Sequence, residues 1–153
     1  MKINISTANT SQLDWLVAKC EGLDIWMRHE WLNHLSALPG AAPDPLEWLL
    51  NVQPNEPIYV VNRITHFLPQ YSTDWGQGGP IIDKEDIGFI KCNPLYFPKG
   101  DAKGVPGCDY YQPYIKAVIG VNAEYGPTKL IAAMRCYVAK ELGQEVDIPQ
   151  DLT

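Results

Sequence analysis

Residues 124–143, EYGPTKLIAAMRCYVAKELG, decide the fold class. Pro127 suits the first turn of a helix, where its missing N–H would have no partner in any case, and Gly143 suits the stop. Between them Leu130, Ile131, Met134, Tyr137, Val138 and Leu142 recur at helical spacing and form one apolar stripe. Such a stripe has to be covered, and the sequence upstream offers strands to cover it. Residues 58–61, IYVV, are β-branched and aromatic, and residues 65–68, 87–91 and 115–121 carry the same signature. Nearer the N-terminus, Leu13, Leu16, Val17 and Cys20 mark a first helix, capped by Thr10 or Ser11 with Asp14 three residues after Ser11. A second helix is expected over residues 24–38, with Trp26, Met27, Trp31, Leu32 and Leu35 on its apolar face. A short helix capped by Asp44 and carrying Trp48 follows, so residues 24–50 read as a helical insertion. The order of helices, then strands, then a helix predicts a single α+β domain over residues 1–153. Its small, mostly antiparallel sheet is expected to contain both 58–61 and 87–90, packed by the N-terminal helix and the long C-terminal helix. Leu130, Met134 and Val138 should be buried with Leu13 or Leu16. The stretch 72–80, STDWGQGGP, reads as irregular because of its three glycines and proline. Residues 93–114 read as a long ordered loop, and 144–153 as an acidic tail lying along the surface or fraying.

The chain has 153 residues, 46% of them apolar and 20% charged, with a net charge of −6. That length forms one domain and holds a core without metals or disulfides. No apolar run approaches a membrane span, and MKINISTANTSQLDW lacks the apolar segment of a secretory leader. The acidity argues against a duplex nucleic-acid partner. Cys20, Cys92, Cys108 and Cys136 contain no C-x-x-C pair, so neither zinc nor a disulfide framework is expected. Cys20 and Cys136 read as small core residues, and Cys92 and Cys108 as free thiols. No metal and no cofactor are expected.

The segment Asp74–Pro80 lacks both the dinucleotide fingerprint and the phosphate P-loop spacing. It reads either as a tight turn or as a ligand-facing loop in which Trp75 offers a flat ring and Gln77 a bidentate amide. His29 and His34 are five residues apart, about 140° around a helix, and cannot share a metal. His66 has no second histidine beside it. Asp83, Glu85 and Asp86 cluster in one charged turn. The turn before the last helix combines Tyr125, Thr128 and Lys129 with a helix N-terminus, which favours an anion. Arg135 lies two turns along, where it either holds a phosphate or carboxylate or pairs with an internal acid. Trp75, Gln77, Gly78, Gly79, Tyr125, Thr128 and Arg135 are therefore the candidate ligand-binding residues, with no catalytic set among them.

Three blocks, LDWLVAKCEG (13–22), YSTDWGQGGPII (71–82) and EYGPTKLIAAMRCYVAKELGQEVDIP (124–149), closely resemble the NinX-type family of small lambdoid phage proteins, which carry the same blocks in the same order. Together they cover roughly a third of the chain. Residues 24–57 and 93–114 look least like the family. Lys129 stands where the family has the second proline of a G-P-T-P turn, so the resemblance gives Lys129 no anion role. The resemblance implies a phage or prophage origin and a place in the host cytoplasm. It implies no established activity, cofactor or catalytic residue.

Three functions fit these residues. The first is a non-enzymatic phage accessory protein that binds a small anionic or nucleotide-like ligand and so sequesters a host signal. The second is an acidic interaction module that binds a host protein. The third is a hydrolase using Asp74 or Glu124. Trp31 and Trp48 are expected to turn inward or into a subunit contact, and the chain is expected to form a homodimer.

Overall fold

A computed structural model describes residues 1–37, 56–62, 64–92 and 114–152. The C-terminal helix lies at its centre. Eight of its positions, from Leu130 to Ala139, are buried, far more than a one-sided stripe would require. A helix this apolar has to be covered on several sides, and it is. Leu13, Leu16 and Val17 of helix α1 (Thr10–Cys20) join Leu130, Met134 and Val138 in the main core, as expected. Phe89, Ala117 and Ile119 join them from an antiparallel sheet of strands β5 (Gly88–Cys92), β6 (Tyr114–Ile119) and β7 (Asn122–Gly126), with β6 in the middle.

A second three-stranded sheet orders β2 (Asp24–Met27), β3 (Pro57–Val61) and β4 (Ile64–Phe67), all antiparallel. Helix α2 (Arg28–Ser36) lays Trp31 on Ile58 and Val60 to make a small satellite core. Met27 instead points into the main core and ties the two together. A two-stranded ribbon pairs β1 (Lys2–Asn4) with β8 (Glu145–Asp147), in register from Lys2 opposite Asp147 to Asn4 opposite Glu145. Helix α3 (Trp75–Lys84) and the central helix α4 (Lys129–Leu142) complete the α+β architecture.

Several expectations need correction. Residues 24–38 are not one helix: Asp24–Met27 pair with β3, and the helix begins only at Arg28. Trp26 stands opposite Ile58 in that ladder, so an apolar segment that helical spacing also suits is captured by the strand it can pair with. Residues 58–61 and 87–90 lie in different sheets. The segment 114–126 is a hairpin turning at Gly120, whose φ is +56°, so Glu124–Gly126 belong to a strand and not to the entry of the last helix. The tail is not a surface strap. Val146, Ile148 and Leu152 are buried, and the β1 partner satisfies its backbone. The first helix is capped by Asn9, whose side chain accepts from the Gln12 N–H at 2.9 Å while Gln12 returns the bond at 3.1 Å. Trp31 is turned inward and only 6% exposed. The expectations for Asp44, Trp48, Cys108 and the loop 93–113 fall outside the described residues.

Candidate functional site

The largest departure from expectation is at the glycine-rich block, where residues 75–84 are helical despite three glycines and Pro80. Local chemistry explains the start. Asp74 caps α3: its Oδ1 accepts from the Gly76 N–H at 2.8 Å and its Oδ2 from Gln77 Nε2 at 2.9 Å. Gln77 Oε1 accepts from the Gln70 N–H at 2.6 Å, and the Gln70 carbonyl accepts from the N–H groups of Thr73 and Asp74. Residues 70–77 are thus one hydrogen-bonded unit. Pro80 offers no N–H to Gly76, but both residues lie at the exposed surface, where water can replace the missing bond. Packing explains the rest. A Cβ at Gly78 would stand 2.2 Å from the Tyr71 carbonyl oxygen and 2.7 Å from Leu130 Cδ2, so glycine is what lets α3 close onto both. The bare position serves the packing of α3 against Tyr71 and Leu130.

Each remaining candidate has a definite place. Trp75, the first residue of α3, is 55% exposed, with the edge of its indole beside Gly79. Thr128 caps α4, its Oγ1 accepting from the Ile131 N–H at 3.2 Å. Arg135 donates from Nη1 to the Tyr125 carbonyl at 2.9 Å and from Nη2 to the Ala8 carbonyl at 3.0 Å. It therefore ties the end of β7 to the residue preceding the cap of α1. Burial lowers its pKa, and the nearby Glu124 carboxylate opposes that shift. Glu124 is itself buried and accepts from Gln144 Nε2 at 2.6 Å. The Tyr125 ring lies beside Lys116, its cross-strand partner, whose Nζ is 5.8 Å from the ring centroid. Tyr125 alternates with Glu124 and Gly126, so its ring points to the sheet face opposite α4.

The two distinctive segments do meet, through Gly78 and Leu130. The side chains on them do not converge: Trp75 and Gln77 stand on α3, Arg135 reaches toward α1, and the Tyr125 ring faces away. The polar groups of Gln77 and Thr128 and the two Nη groups of Arg135 hold internal hydrogen bonds. Asp74 and Glu124 hold structural bonds as well. Trp75 is the member that presents a broad surface outward.

The family model described as Phage P22 NinX (Bacteriophage P22, NinX) matches residues 4–141. The chain belongs to the NinX family. No curated protein matches it. The NinX match begins in the β1 ribbon, ahead of the first block, spans the stretches between the blocks, and ends at residue 141 near the end of α4, within the third block. Among the described residues no cluster of three His, Cys, Asp or Glu could hold a metal ion, and no helix is long and apolar enough to cross a membrane.

Sequence reasoning also misplaced Asp14. Asp14 reads as a helix-start acid, but it lies mid-helix and buried, accepting from the Ser72 N–H at 2.7 Å. Burial pushes its carboxyl up to about 6 against the pull of the Ser72 hydrogen bonding. A lone acid inside LDWLVA was the available signal.

Proposed function

We propose that this NinX-family chain is a phage accessory protein that acts by binding a host protein through the exposed face of α3 centred on Trp75. The exposure of Trp75 carries this reading. A small-ligand site needs polar groups converging on a cavity, whereas the candidate polar side chains here are committed to internal bonds. An exposed tryptophan on a rigid helix start is what a protein contact uses as an anchor. The net charge of −6 favours a partner with a basic surface.

The ligand reading has one supporting observation. The indole of Trp75 lies beside Gly79, with no bulky side chain at Gly76 or Gly79, so a flat ring could stack there.

One experiment separates the two. Tagged wild type and Trp75→Ala are used to capture proteins from infected host cells, and both are heated with a nucleotide panel. A host protein retained at stoichiometric amount by wild type and lost by Trp75→Ala supports the first reading. A nucleotide that raises the Tm of wild type alone supports the second. Indifference of both assays to the substitution removes Trp75 from the function.

A further inference from the structure

Helix α3 buries Gly78, Ile81 and Ile82 and turns the rest of its surface outward. Trp75, Gly79 and Asp83 follow one another along one outward row, and Gly76 and Pro80 form the row beside it. Glycine and proline keep that second row low, so the indole stands beside an open shelf of backbone. Three groups on the shelf are open to a partner. The first is the Trp75 ring. Trp15, Tyr125 and Phe89 each have a lysine of this chain within 5.8 Å of the ring centroid, but among the described residues no lysine or arginine lies over Trp75. The second is the Gly76 carbonyl, which Pro80 denies its helical donor. Helical carbonyls point toward the C-terminus, so this oxygen lies level with Gly79, where the indole edge rests. The third is Asp83, exposed and without an ion pair among the described residues. The one base of α3, Lys84, is held by Glu21 and Glu85.

The three groups complement one chemistry. An indole face attracts a cation, and an exposed carbonyl without its helical donor accepts an N–H. Asp74 and Asp83 bracket the strip with negative charge on a chain of net charge −6. A guanidinium answers all three, because its plane stacks on a ring while its edge donates in that plane, whereas an ammonium is a point charge with no plane to stack. The same two acids repel a phosphate, so they oppose a nucleotide on Trp75. We infer that the α3 strip takes an arginine from a basic segment of the partner protein, its guanidinium stacked on Trp75 and donating to the Gly76 carbonyl, while Asp83 draws a second cation about 12 Å further along the helix. This rests on the reading of Trp75 given above and adds the chemistry of what Trp75 binds.

Nuclear magnetic resonance of the isotope-labelled full chain tests it without the partner. The probes are a glycine-spaced peptide carrying two arginines and its citrulline counterpart, which keeps the shape and loses the charge. The arginine peptide should shift the Trp75 indole N–H and the Gly76, Gly79 and Asp83 amides together, and the citrulline peptide should bind at least about fivefold more weakly. Trp75→Ala should weaken the arginine peptide by about two- to fivefold at Gly76 and Gly79. Asp83→Asn should weaken it by about twofold and leave the citrulline peptide unchanged. Equal binding of the two peptides, or arginine-dependent shifts that centre on other acids and survive Trp75→Ala, overturns the inference. A host protein captured through Trp75 alongside equal peptide binding would keep the functional reading and remove the arginine alone. Arginine-specific shifts with no host protein captured would do the reverse.

Discussion

Replacing Gly78 by alanine should destabilise the protein even though glycine to alanine inside a helix ordinarily does the reverse. The helical gain is about 1 kcal/mol. Against it, the new methyl carbon would meet the Tyr71 carbonyl oxygen at 2.2 Å and Leu130 Cδ2 at 2.7 Å. Leu130 can adopt another rotamer, but the carbonyl belongs to the hydrogen-bonded 70–77 unit and has to move with it. Overpacking of this kind costs about 3 kcal/mol, so the net loss should be about 2 kcal/mol. For a chain of this length that lowers the Tm by about 4–8 °C. Gly79→Ala is the matched control, because its Cβ would meet nothing nearer than Trp75 Cε3 at 3.9 Å. Its stability should stay within about 1 kcal/mol of wild type, because the helical gain is opposed by the crowding of a new Cβ against the ring of Pro80. Thermal and urea unfolding followed by circular dichroism read both variants. A Gly78→Ala protein as stable as wild type would refute the packing of α3 on α4. A Gly79→Ala protein as destabilised as Gly78→Ala would refute the assignment of the loss to the Tyr71 and Leu130 contacts.

Other outcomes follow from the same geometry. Arg135→Ala strips two carbonyls of charged donors and takes a favourable positive charge from the buried Glu124, so urea unfolding should show a loss of about 2–4 kcal/mol. Arg135→Lys should recover little of it, since one ammonium lacks the fork that spans Tyr125 and Ala8. Because the folded-state pKa of Asp14 is raised, its contribution to stability is greatest at low pH and is lost as pH rises from near 3.8 through about 6. Relative to Asp14→Asn, wild type should lose about 2 kcal/mol between roughly pH 4 and pH 7 in denaturant titrations. Asn9→Ala removes one half of the box that caps α1 and should cost about 1 kcal/mol by the same assay.

What the sequence disclosed follows from how local each signal was. The apolar stripe of α4 and its burial with Leu13 and Leu16 were legible because helical periodicity reports a buried face directly. Residues 24–27 misled because Trp26 and Met27 suit a helix as well as a strand, and only β3, some 30 residues away in sequence, settles which. The block 72–80 misled for the opposite reason. Its propensities oppose a helix, and the deciding contacts are Asp74, Gln77 and Gln70 among themselves and Gly78 on Leu130, which no spacing rule reveals. The acidic tail looked loose because its strand partner is at the other end of the chain. For the candidate site, residue type alone singled out Trp75 and Arg135. The carbonyls of Tyr125 and Ala8 that occupy Arg135 were invisible, since backbone acceptors leave no mark on composition.

The central claim is that Trp75 anchors a host protein on the face of α3, and the direct measurement is calorimetric affinity of the captured partner for wild type and for Trp75→Ala. An anchor contributing about 2 kcal/mol or more should make the variant bind at least roughly thirtyfold more weakly, with its Tm unchanged because the side chain is largely in water. Equal affinities for the two proteins would contradict the account.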